Sequence, residues 1–131
     1  MFDAHKAREL APVILRLGLT FVFIWFGTNQ LMNAESWTGF VPEWGTFGLD
    51  PQTVVYLNGA FEVIGALMLG FGIFVRWVAT LLALHLFVIA SSLGLTPVGV
   101  RDFGLSFAIL AVAFFGPDKY CLSALYPRTL L

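Results

Sequence analysis

Arg16, Glu62, His85, Arg101 and Asp102 stand inside or at the edge of long apolar runs of this sequence. A charge at the centre of a bilayer costs on the order of 2.5–3.5 kcal/mol on insertion scales, so each needs a partner or a function. Glu62, His85 and Asp102 belong to the residue types that take up and release protons, and together they form a candidate proton relay. Arg16 and Arg101 could stabilise a developing anion. Asn58 and Gln30 add neutral hydrogen-bonding groups, and Trp37 and Trp44 add aromatic faces. These six are the candidate ligand-binding residues. No metal site is expected: the single cysteine, Cys121, excludes an internal disulfide, a CxxC pair and a cysteine-rich zinc site.

The elements that must position these groups are transmembrane helices. Of 131 residues, 59% are hydrophobic and 11% charged, and the mean hydropathy is +0.87. A soluble domain of this size needs more polar surface. Apolar segments of about 20 residues, enough to cross roughly 30 Å of hydrocarbon, recur along the chain. We read a single membrane domain over residues 1–131, an all-α integral membrane protein with four antiparallel spans. The spans lie at about 10–32, 53–75, 77–95 and 97–116. Pro12 opens the first, and Asp50-Pro51 leads into the second. Thr96-Pro97 supplies the N-cap and first position of the fourth, and Gly116-Pro117 ends it. The first span is too long for a signal-peptide h-region and lacks a following A-x-A-like site, so it reads as retained.

Helical spacing sorts each span into faces. The Glu62 face holds Val55, Asn58, Gly59, Gly65, Ala66 and Leu69, with Phe61, Ile64, Met68 and Phe71 elsewhere. Span 1 sets Arg16, Thr20, Gly27 and Gln30 or Leu31 along one side. Span 3 offers His85 with Ser92 and the nearby Ser91, and span 4 aligns Asp102, Ser106, Ile109, Ala113 and Gly116. Small residues let helices approach closely, so these faces are expected to enclose a polar centre in an apolar shell. At about 1.5 Å rise per residue, Glu62 and His85 fall near mid-membrane, and Asn58, Gln30, Arg101 and Asp102 in the outer half. The expected pairings are Arg16 with Glu62, and His85 with Asp102 or Arg101. Each has a purely structural counterpart: a register-fixing ion pair, a hydrogen-bonded core histidine, and a snorkelling span end. Cys121 reads as a passive thiol.

Charge sets the expected orientation. Lys6 and Arg8 precede span 1, Arg76 lies between spans 2 and 3, and Lys119 and Arg128 follow span 4. The long first loop carries Glu35, Glu43 and Asp50 but no lysine or arginine. Both termini are therefore expected on the cytoplasmic side. The loop aromatics at 37, 40 and 44 suit either a segment lying on the outer leaflet or a lid over the polar centre. The formal net charge of −1 argues against nucleic acid as a partner.

Several motifs together resemble the DoxX family. They are Arg16-Leu17-Gly18-Leu19 followed by Phe26-Gly27, the glycine-flanked Glu62, Arg101-Asp102-Phe103-Gly104-Leu105, and Gly116-Pro117-Asp118-Lys119-Tyr120-Cys121-Leu122. The resemblance implies a four-helix protein of a bacterial or archaeal cytoplasmic membrane. It also implies a link to the DoxD-type subunit of thiosulfate:quinone oxidoreductase. The chain departs from the pattern at Thr28-Asn29-Gln30-Leu31, where many members carry a lysine. Three functions follow for test. The first is a quinone-linked redox subunit, with no cofactor of its own beyond a quinone. The second is a non-catalytic subunit of a larger membrane complex. The third, a transporter or channel, fits least, since the spans lack repeats or breaks. Partners expected are membrane lipids and either other membrane subunits or further copies of the chain.

Overall fold

The computed structural model describes residues 3–125; Arg128, one of the charges used above for orientation, lies outside them. Asp3 accepts a hydrogen bond from the His5 amide at 3.1 Å and starts helix α1, Ala4–Met32, well before the apolar run begins. Helix α2, Pro51–Phe71, starts where Asp50 accepts from the amides of Gln52 and Thr53, with proline at its first position. Helix α3 is Val75–Leu93. Helix α4, Pro97–Phe115, is capped by the Thr96 hydroxyl, which accepts from the Gly99 amide at 3.0 Å. Even the 19-residue helices reach roughly 28 Å. All four are long and apolar enough to cross a membrane.

The α2–α3 junction is tighter than the sequence pattern indicates. Gly72 is left-handed at φ 74°, and the Ile73 amide reaches back to the Met68 carbonyl at 2.8 Å. This closes α2 at Phe71 and not at residue 75. Arg76 therefore lies in the first turn of α3, where it donates to the carbonyls of Ala113 and Phe114 at 3.2 and 3.3 Å and caps the end of α4. Gly116, at φ 74°, leaves room for that guanidinium.

α1 packs most extensively on α2, and α3 on α4. The first pair meets at Gly27 and Gly59. A Cβ on either glycine would come within 2.9 Å of the other's carbonyl oxygen, so the approach tolerates nothing larger. The buried residues of α2 (Val55, Gly59, Glu62, Ala66, Leu69) are the small and polar face read from spacing. Asp102, Ser106, Ile109, Ala113 and Gly116 are likewise all buried. Bulky apolar residues point outward: Phe21, Ile64, Trp77, Leu84 and Phe114 are all more than half exposed, as lipid-facing residues should be. Between α1 and α2 the loop forms two 3₁₀ turns, Ala34–Phe40 and Glu43–Gly45, separated by Val41-Pro42. The expected single helical spacing of residues 37, 40 and 44 is broken there by the proline.

Candidate functional site

Two buried polar clusters occupy opposite ends of the bundle. At the end that holds the start of α1, the Arg16 guanidinium donates to Asp118 at 2.7 and 3.2 Å. It also donates to the carbonyls of Leu69 and Gly70 at 2.8 and 2.7 Å. The side chains are 2% and 7% exposed, respectively. Arg16 thus ties α1 to the last turn of α2, where it joins the Gly72 amide on the Leu69 carbonyl, and to the segment after α4. Burial alone pushes the Asp118 carboxyl up. The Arg16 hydrogen bond, the Tyr120 amide and the guanidinium charge outweigh it, and the group sits below the ordinary carboxylate range. Cys121 packs beside this lock against Gly72, and burial pushes its thiol up. Lys119 meets Glu9 at 2.8 Å at the surface.

This overturns the expected Arg16–Glu62 pairing. In antiparallel helices residues step in opposite directions. Moving from Gly27 back to Arg16 moves the contact from Gly59 forward to Gly70. The Arg16 side chain is therefore level with the end of α2, about two turns beyond Glu62. Arg16 lies outside the Glu62 cluster, at the opposite end of the bundle, and does not line the cavity beside Glu62.

The second cluster surrounds Glu62, which is 3% exposed. Gln30 of α1 donates to its Oε2 at 3.2 Å, and Asn58, one turn away on α2, donates to its Oε1 at 3.2 Å. Asn58 also donates to Gln30 Oε1 at 2.6 Å, so the three side chains close a ring of hydrogen bonds. His85 of α3 brings Nε2 to 3.5 Å from Glu62 Oε1. That nitrogen is buried and makes no hydrogen bond. The His85 ring lies 4.6 Å from the Phe61 ring, centroid to centroid. His85 was expected beside Asp102 or Arg101; α2 intervenes with a nearer carboxylate.

Above this floor is a cavity of about 500 Å³. Glu62, His85, Gln30, Asn58 and Asp102 supply its polar wall. Phe26, Trp37, Phe40, Trp44, Phe47 and Phe61 supply aromatic faces. Trp37 and Trp44, proposed from sequence, therefore stand over the site, and the loop between α1 and α2 roofs it. Asp102 is held by Arg101 at 2.8 Å. Arg101 is about half exposed and lies 4.8 Å above the Phe26 ring; it does not itself line the cavity. Ser91 turns away and donates to the Phe87 carbonyl, while Ser92 lines the cavity. The sequence reading did not single out Asp118, Phe26 or Phe61 as site residues. Asp118 and Phe26 were visible only within family-like motifs, and Phe61 looks like any lipid-facing aromatic.

A four-helix membrane bundle with a polar, aromatic-roofed cavity at one end is the class this geometry defines. The chain belongs to the DoxX family, whose model matches residues 11–95. The match spans Gln30, Asn58, Glu62 and His85 and ends before Asp102. With the family and four apolar helices together, the chain is a multi-pass membrane protein. Neither a curated protein nor a solved structure matches the chain.

Proposed function

We propose that the cavity receives a quinone-type ligand and that the chain serves as a quinone-linked subunit of a membrane redox complex. The observation that carries this reading is His85 Nε2, buried, without a hydrogen bond, and 3.5 Å from Glu62 at the floor of an apolar cavity. A buried polar atom of this kind needs a partner, and a carbonyl oxygen of a planar, lipid-soluble ring suits it. The residues fit such a ligand: aromatic faces for the ring, an imidazole and two carboxamides for polar substituents. A quinone supplies a two-electron, two-proton couple when bound. Glu62 and His85 are of the types that carry protons and stand where one could be passed to a ligand oxygen. Gln30 and Asn58 keep the carboxylate oriented through that transfer. Asp102, on the same cavity wall, is the next group able to resupply the proton. Electrons enter from a partner subunit carrying a redox centre.

The orientation proposed places both termini in the cytoplasm of a bacterium or archaeon. Lys6, Arg8, Arg76 and Lys119 favour that side. The cavity then opens toward the outer half of the membrane.

The test uses the full chain purified in mild detergent and a short-chain quinone, with quenching of Trp37 and Trp44 fluorescence as the signal. Saturable quenching is expected, lost in Trp37→Phe with Trp44→Phe. His85→Gln should weaken it. Absence of saturable quenching, in a protein that elutes as one folded species, would leave the non-catalytic subunit as the better reading. The native mass of the complex from its own membranes would then identify what it joins.

A further inference from the structure

We infer that the same cavity is a binding site for lipophilic organic cations, such as a quaternary ammonium or phosphonium carried on an apolar body. The inference does not rest on the quinone reading. It begins with the carboxylates buried in the bundle. Asp118 has Arg16 at 2.7 Å and Asp102 has Arg101 at 2.8 Å. Glu62 is also buried, yet among the described residues no lysine or arginine forms a salt bridge with it. Its contacts are two neutral amides and an imidazole nitrogen that stops at 3.5 Å without completing a hydrogen bond. A carboxyl group in an apolar interior either keeps its proton or meets a countercharge, and a cation bound in the cavity would supply that countercharge. Of the three, Glu62 alone has none supplied by a guanidinium, and it faces the cavity.

The walls select the kind of cation. Phe26, Trp37, Phe40, Trp44, Phe47 and Phe61 present aromatic faces, which attract a cation within about 6 Å of the ring centroid. Arg101 lies 4.8 Å over Phe26 from outside the cavity, so the other five rings are the ones left to a bound cation. Among the described residues no group of three or more His, Cys, Asp or Glu side chains is placed to hold a metal ion. A cation on an apolar body keeps its body against the aromatic wall and its charge toward Glu62.

Tetraphenylphosphonium and tetraphenylborate have nearly the same size and shape and opposite charge. Equilibrium dialysis of each against the full chain in mild detergent separates charge recognition from simple apolar partitioning. The expected result is one saturable phosphonium site per chain and no saturable tetraphenylborate site, each ion dialysed in separate samples. Glu62→Gln should weaken phosphonium binding at least tenfold. Equal binding of the two ions by the unmodified protein would overturn the inference without recourse to any variant. Unchanged phosphonium affinity in a folded Glu62→Gln variant would also overturn it. Short-chain quinone is titrated into the same samples. Quinone binding without phosphonium binding overturns this inference alone. Phosphonium binding without quinone binding supports it and removes the quinone reading.

Discussion

Arg16 and Glu62 are both buried charges on facing helices, and on a helical wheel they look equivalent. Their surroundings differ. Arg16 has its donors occupied: a carboxylate on one side and two helix-end carbonyls on the other. Nothing at that end faces the cavity. Glu62 has partners too, but they are neutral amides, and beside it an imidazole nitrogen is left without a hydrogen bond at the edge of a cavity. A charge whose needs are met within the chain holds helices together. A charge left partly unmet beside open space is placed to meet something that arrives. Burial and residue type alone do not separate these two cases; the partners do.

The sharpest way to break this comparison is to remove each charge in turn. Arg16→Met strips the guanidinium from Asp118 and the Gly70 carbonyl and leaves the carboxylate only the Tyr120 amide. Losing one member of a buried pair typically destabilises by about 3–5 kcal/mol. The expected outcome is poor accumulation and a much lower Tm in mild detergent. Adding Asp118→Leu should recover part of that loss, because the stranded charge is gone. Adding Glu62→Gln should recover none, since the two sites lie about 10 Å apart along α2 and distant sites act independently. If the Glu62 change is the one that restores stability, the division drawn above fails.

Glu62→Gln by itself should do the reverse of Arg16→Met. A carboxamide fills the same space and still accepts from Gln30 or Asn58, so Tm should stay within the equivalent of about 1 kcal/mol, the net value of one hydrogen bond. Ligand affinity should fall at least tenfold, about 1.4 kcal/mol. Calorimetry and dialysis on one preparation check both halves. A large fall in Tm would move Glu62 into the structural class with Arg16.

Acid should expose the lock and in smaller measure. The folded chain holds the Asp118 carboxyl below its ordinary range. A depressed folded value means the stabilisation is fully present above the unfolded value and fades as pH falls through the folded one. Tm should therefore be level near neutrality and drop below the ordinary carboxylate range. Arg16 keeps its carbonyl partners when Asp118 is protonated, so the drop should be smaller than in Arg16→Met. Asp118→Asn should flatten this part of the profile, and a slope that persists in that variant would assign the acid sensitivity elsewhere.

Most of the architecture was legible in residue spacing. The stripe from Asp102 through Ser106, Ile109 and Ala113 to Gly116 is buried along its whole length, because a 3.6-residue period is a local property of one helix. The pairing of helices was not legible in that way. Arg16 was expected against Glu62 without any knowledge of the helix register, which the glycine contact between Gly27 and Gly59 fixes. Asp118 escaped notice because it follows Gly116-Pro117, outside any helical face. For the site, spacing marked Glu62, His85, Asn58, Gln30 and Asp102, and the fold brings them to one cavity. The aromatic roof was half legible: Trp37 and Trp44 stood out by type, whereas Phe61 became a neighbour of His85 only through the crossing of α2 and α3.

The smallest effect uses Cys121 as a reporter of the lock. The thiol is 2% exposed. The Asp118 amide donates to its sulfur at 3.3 Å, and Gly72 packs against it. Thiolate is the reactive form, and burial both shields the sulfur and pushes its proton affinity up. Alkylation by a maleimide should therefore be slow and should proceed through local opening of the segment after α4. Arg16→Met removes the buried tie between that segment and α1 and leaves only the surface pair of Lys119 and Glu9, so alkylation should accelerate even at temperatures where the helices remain folded. Glu62→Gln changes the other end of the bundle and should leave the rate at that of the unmodified chain. A rate that rises equally in both variants would mean that the two ends open together. The distinction between a closed lock and an open site would then be one of geometry only, with no separate mobility behind it.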